Sequence, residues 1–124
     1  MPVSRISKES ILKMMNGKVK VDKETRCVVK FYSNGCHLCH TLSSYYKDIS
    51  DSYDDVLFFA FNIDDDDEIP TKLNLNGVPS VTMFKINKGK KAKILNLPDP
   101  EKPNNETWFT VRQIKNFIDK EKIR

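Results

Sequence analysis

Cys36 and Cys39 stand two residues apart in the run Ser33-Asn34-Gly35-Cys36-His37-Leu38-Cys39-His40. They follow an apolar, strand-like stretch, Cys27 to Tyr32, and open a helical pattern. Two thiols at positions i and i+3 of a first helical turn share one side of the helix, close enough to join as a disulfide without backbone movement. A helix N-terminus offers unpaired N–H groups and the positive end of the helix dipole, so a thiol there is more acidic than a free cysteine. The expected chemistry is thiol–disulfide exchange. Cys36, at the tip, attacks a disulfide of another protein, and Cys39, one turn further in and facing the core, resolves the mixed disulfide. The third cysteine, Cys27, alternates with Val29 and Phe31 and reads as a small buried apolar residue.

The flanking pattern predicts the elements that hold this pair. Ser7 to Asn16 reads as a short helix with Ile11, Leu12 and Met15 on its apolar face and Asn16-Gly17 as its stop. Cys27 to Tyr32 is apolar on both alternating faces apart from Lys30, the signature of a central strand covered on each side. From Cys36 onward, Cys39, Leu42, Tyr46, Ile49 and Tyr53 recur every three or four residues and form the core-facing stripe of an amphipathic helix. Val56 to Ile63 is a second buried strand, and the strand–helix–strand order requires a parallel crossover. A short helix is expected near Ile69 to Leu75, with Pro70 tolerated in its first turn. Gly77-Val78-Pro79-Ser80 precedes a strand at Val81 to Lys85, which the turn Asn87-Lys88-Gly89 joins to Lys91 to Leu97 as an antiparallel hairpin. Pro98 to Asn105 reads as a surface loop. Thr110 and Gln113 form a capping box for a last helix, with Phe109 stapled onto Ile114, and Ile114, Phe117 and Ile118 facing the sheet.

Length and composition limit the function classes. The chain has 124 residues, enough for one core and too few for two, so residues 1–124 are read as a single domain. The net charge is +4, with aspartate runs at Asp51 to Asp55 and Asp64 to Glu68 offset by lysines from Lys85 to Lys93. Those lysines fall on a hairpin with one aromatic, Phe84, rather than on a basic stripe interleaved with aromatics, so no nucleic acid is expected as a partner. The first residues carry no apolar signal-peptide core and no segment approaches bilayer length, so a cytoplasmic location without membrane attachment is expected. Three cysteines are too few and oddly paired for a stapled secreted domain, which favours a reactive rather than a structural pair.

A strand, then CxxC opening a helix, then Asn62-Ile63-Asp64 at the end of the next strand, then Gly77-Val78-Pro79-Ser80: this order resembles the thioredoxin family from about Cys27 to the last helix. The resemblance implies an α/β thioredoxin fold, with a central mixed sheet of four to five strands flanked by helices on both faces. It implies a monomeric protein-disulfide oxidoreductase with no cofactor and no metal, supplied with electrons by a donor such as thioredoxin reductase or glutathione. It also implies that Pro79 follows a cis peptide bond and lies against the cysteines, and that the backbone of Val78 pairs with the substrate chain. Cis bonds are essentially confined to X-Pro, and a proline there presents no N–H to the sulfurs.

The chain makes three departures from the family pattern. Gly35 stands where a tryptophan is usual, at the substrate rim. His37 and Leu38 replace the usual Gly-Pro, and a protonated imidazole beside Cys36 would stabilise its thiolate and make the couple more oxidising. Lys30 replaces the aspartate usual six residues before the first cysteine, and Ala60 replaces that aspartate's lysine partner. A lysine in a central strand either snorkels to the rim or loses its proton, so Lys30 is expected either to lower the pKa of the sulfurs as a cation or to act as a base.

Other chemistries fit parts of the same residues. Cys36-His37-Leu38-Cys39-His40 is also a haem-attachment signature, but attachment normally needs export, and His40 falls at an exposed helix position. Zinc or an iron–sulfur cluster would need ligands that His37 and His40, projecting to other sides than the cysteine stripe, do not complete. A non-catalytic interaction module on the same fold is the remaining alternative, and it would not accelerate disulfide reduction. A glutaredoxin is disfavoured because no Gly-Gly pair follows the strand after Pro79.

Overall fold

In a computed structural model, which describes residues 3–101 and 108–121, strands and helices alternate as follows: β1 (Val3–Arg5), α1 (Lys8–Met15), β2 (Thr25–Tyr32), α2 (His37–Asp51), β3 (Val56–Asn62), α3 (Glu68–Lys72), β4 (Ser80–Ile86), β5 (Lys93–Asn96) and α4 (Val111–Lys120). A 3-10 turn, Ile63–Asp65, follows β3. The five strands form one sheet in the order β1-β3-β2-β4-β5. β1, β3 and β2 run parallel, whereas β4 pairs antiparallel with both β2 and β5. This is the thioredoxin fold, with β2 in the middle, as expected of a run apolar on both faces apart from Lys30.

Side-chain alternation along the strands makes two cores. On one face Val28, Phe58, Val81 and Met83 meet Leu42, Tyr46 and Ile49 of α2 and Ile114 and Ile118 of α4. On the other, Cys27, Val29, Phe31, Phe84 and Ile86 meet Ile11 and Met14 of α1 and Ile69 and Leu73 around α3. The capping box at Thr110 and Gln113 is formed, and the Tyr45 hydroxyl donates to the Phe109 carbonyl, which ties α2 to the start of α4.

Several boundaries differ from the sequence expectations. β1 was not anticipated, because three residues carry too short an alternation to read; it forms by adding to the open edge of β3. On α1 the residue that buries with Ile11 is Met14, while Leu12 and Met15 stay half-buried. Ile63 leaves the strand for the 3-10 turn, because the Asn62 side chain accepts the Asp64 N–H and starts the turn one residue early. Tyr53 lies past the end of α2 yet still packs on Phe58, with ring centroids 6.0 Å apart. The helix expected near Ile69 to Leu75 begins and ends earlier, at Glu68 and Lys72. Residues 98–101 of the expected surface loop belong to no helix or strand, and residues 102–105 lie outside the described residues.

Lys8 clamps α1 to the start of α3, with Nζ 3.0 Å from Asp66 and 2.5 Å from Glu68. Glu68 is held below its ordinary value by hydrogen bonds from Lys8 and then Lys72. For Asp66, burial pushes the pKa up, but the Ile69 N–H and Lys8 outweigh it and the net shift is downward. Carboxylates depressed in the folded state add stability above their unfolded values, about 3.9 and 4.3, and lose it as pH falls through the folded ones. Lys8→Met should therefore lower the melting temperature slightly at neutral pH, where these exposed pairs are partly screened. The difference from wild type should vanish in acid, and thermal melts across that range check it.

Candidate active site

Three chain segments converge at one end of the sheet. Tyr32, the last residue of β2, pairs with Asn62, the last of β3, and Phe31 pairs with Ser80, the first of β4. The loop carrying Ser33 to Cys36, the turn after Asn62 and the segment ending in Val78-Pro79 therefore leave the sheet side by side. Their polar residues lock the loop. The Asn62 Nδ2 donates to Asn34 Oδ1 over 2.9 Å, and the Asn34 N–H donates to Asp64 Oδ2 over 2.8 Å. The Cys36 N–H closes the turn onto the Ser33 carbonyl. Sequence reasoning assigned no role to Asn34 and Asp64. The signal for them was three asparagine or aspartate side chains at or just beyond two strand ends, a residue type that hydrogen-bonds nearby backbone.

Cys36 is the N-cap of α2, with extended backbone (φ −88°, ψ 105°), and its sulfur accepts the Cys39 N–H over 3.1 Å. The His40 N–H meanwhile bonds to the Cys36 carbonyl and begins the helical ladder. The Cys39 amide thus points at the Cys36 sulfur, so a negative charge there is met by that hydrogen bond and by the helix dipole. Cys36 and Cys39 are joined as a disulfide, with Cα atoms 5.2 Å apart. Cys36 is half-buried at the tip and Cys39 only 3% exposed. The geometry separates a sulfur that a partner can reach from one that it cannot.

The other predicted site residues fall around this pair. The Val78–Pro79 peptide is cis, with Pro79 buried and Val78 half-buried, and Gly77 before it adopts φ +155°, a conformation that disfavours any side chain. Gly35 is exposed, and a Cβ built on it meets nothing within 4 Å, so the rim beside Cys36 is open. His37 is exposed at the first position of α2, and Leu38 is half-buried behind it.

Beneath Cys39 lies a cavity of about 240 Å³ whose lining includes Lys30, Tyr32, Cys39, His40, Ser43 and Ala60. Ala60 sits beside Lys30 in the β2–β3 register. Lys30 is 7% exposed, and its Nζ donates to Ser43 Oγ over 2.5 Å. Burial lowers its pKa. His37 and Leu38 are not among the lining residues, whereas His40, which was assigned only an exposed helix position, is. Cys27 is buried away from the site on β2, and burial pushes its thiol up to about 12, so it stays protonated and unreactive as its strand position suggested.

Among the described residues no three His, Cys, Asp or Glu side chains come together as a metal-ligand set. His40 is exposed, with its Nε2 3.4 Å from the Asn34 carbonyl. No helix of the described residues is long and apolar enough to cross a membrane.

Comparison with known proteins matches residues 10–102 to the family model described as Thioredoxin. A thioredoxin of Acidithiobacillus ferridurans is 31% identical over 68 residues, covering 54% of this chain and 63% of that protein. A thioredoxin of Rickettsia bellii is 32% identical over 68 residues, 54% of this chain and 65% of the relative. The matched stretch thus spans under two thirds of the length of these curated relatives. Among solved structures, the Trx4 domain of ERdj5 superposes with a TM-score of 0.71 at 13% identity, over 97% of this chain and 94% of that one. At that identity the likeness speaks for the fold alone.

Proposed function

This chain belongs to the thioredoxin family, and from that premise we propose that it is a thiol–disulfide oxidoreductase that reduces or exchanges disulfides of other proteins through Cys36 and Cys39. One observation carries the reading: a reachable sulfur capping a helix, with its partner sulfur 3% exposed one turn behind. In the reduced protein the Cys36 thiolate, stabilised by the Cys39 N–H, attacks a partner disulfide. One partner sulfur departs as thiolate and Cys36 is left in a mixed disulfide. Cys39 then attacks Cys36, the internal disulfide forms, and the second partner sulfur leaves with the electron pair. A donor such as thioredoxin reductase or glutathione returns the two electrons.

Val78 and Pro79 receive the partner's extended chain beside the pair, and open Gly35 widens the approach. His37, exposed beside Cys36 at the helix tip, and Leu38, half-buried behind it, tune the redox poise of the pair. The chain acts as a monomer in the cytoplasm, without cofactor. Insulin reduction by dithiothreitol tests the proposal: catalytic amounts of the protein should accelerate it severalfold or more. An unchanged rate would leave only a docking role for the fold.

A further inference from the structure

Lys30 is a buried amine with no carboxylate facing it among the described residues. It enters the cavity under Cys39 from β2. β2 itself adds Tyr32, which accepts from Arg5 over 2.9 Å; α2 adds Cys39, His40, Ser43 and Tyr46; β3 contributes Ala60 and β1 Val3. No Asp or Glu of the described residues lines the cavity. The ammonium lies 5.1 Å from the Tyr46 ring centroid and 5.6 Å from that of Tyr32, faces that favour a cation. Its hydrogen bond to Ser43 Oγ continues from that hydroxyl to the Cys39 carbonyl over 3.2 Å. The amine is thus tethered to the residue whose sulfur, once reduced, can supply an anion to the cavity.

We propose that Lys30 is a positioning residue that supplies the counter-charge for the Cys39 thiolate. The resolving sulfur is thereby ionised without a general base, and the reduced form of the pair is favoured. A neighbouring opposite charge shifts an ionisable group toward its charged form by about one to three orders of magnitude. Before resolution the Cys39 proton passes to solvent through the open cavity. The thiolate then bonds to Cys36 Sγ as the bond from Cys36 to the partner sulfur breaks. The partner leaves as a thiolate and takes a proton from solvent, so the pair gives up two electrons and the partner disulfide gains them. The inference rests on the two-cysteine cycle proposed above and makes the couple a more oxidising one.

Two measurements test it: the ultraviolet thiolate titration of Cys39 in a Cys36→Ala background, and the Cys36–Cys39 equilibrium with glutathione in the otherwise intact chain. Lys30→Gln should lower the Cys39 thiolate fraction at neutral pH about tenfold or more. It should move the glutathione equilibrium toward the disulfide by a similar factor, about 30 mV per tenfold for this two-electron couple. Lys30→Arg, which keeps the cation, should restore both. Ser43→Ala, at an exposed helix position that tolerates alanine, cuts the tether and should shift both in the same direction by less. Wild-type values in Lys30→Gln overturn the inference, as do wild-type values in Ser43→Ala if Lys30→Gln does not fold. A wild-type chain with no Cys36–Cys39 couple sinks the proposed function too; a couple indifferent to Lys30 sinks this inference alone.

Discussion

Cys36→Ser should abolish insulin reduction, on the order of a thousandfold or more, because the hydroxyl that replaces the thiol does not ionise near neutral pH. The fold should survive. Serine is a preferred N-cap, and its oxygen can accept the Cys39 N–H that the sulfur now takes over 3.1 Å. Loss of activity in a protein that melts like the reduced wild type would therefore report chemistry alone. Cys39→Ser should behave differently: attack by Cys36 is intact, but the sulfur that releases the partner is gone. Mixed disulfides should accumulate and appear as higher-mass species on non-reducing gels, cleared only by added thiol. Unimpaired turnover by the Cys36→Ser protein would remove the reachable sulfur from the mechanism. Failure of Cys39→Ser to trap any partner would remove the two-step resolution.

The contrast between those two variants was legible in the sequence, since position at a helix tip and one turn behind it follows from spacing alone. The strand order was legible for a related reason. The apolar run of β2 could only be central, and strand–helix–strand could only be parallel. What period and spacing do not encode is what lies across space. Asn34 and Asp64 are far apart in the chain and meet because β2 and β3 end side by side. Lys30 could be recognised as out of place in a buried strand, but the sequence left two fates open, snorkelling or deprotonation. The structure places the amine inside rather than at the rim, tied through Ser43 to the Cys39 backbone and flanked by two aromatic rings. The edge strand β1 escaped notice because its formation depends on the open edge of β3 rather than on its own three residues.

Arg26 escaped too, and it carries the second large expected effect. It lies at the start of β2, 1% exposed, with one guanidinium nitrogen donating to the Ile118 carbonyl over 2.7 Å and another to Asp55 over 3.0 Å. Ile118 is in the last turn of α4, at the negative end of the dipole; its carbonyl also accepts the Glu121 N–H, and Arg26 adds a second, charged donor that caps the helix from inside the fold. Arg26 also fills space as one of the largest fully buried side chains, and its Nε has no partner among the described residues. Asp55 is 55% exposed and readily resolvated, so the packing of the stem should outweigh the ion pair. Arg26→Ala should then destabilise by about 2–5 kcal/mol through the void it leaves. Arg26→Met, which refills much of that void and removes a buried charge, should destabilise by about 1 kcal/mol or less. Urea unfolding of the two variants separates the terms, and equal losses would assign the stability to the guanidinium's hydrogen bonds instead. Activity per folded molecule should match wild type in both, since Arg26 and the disulfide lie at opposite ends of β2, about 20 Å apart along the strand.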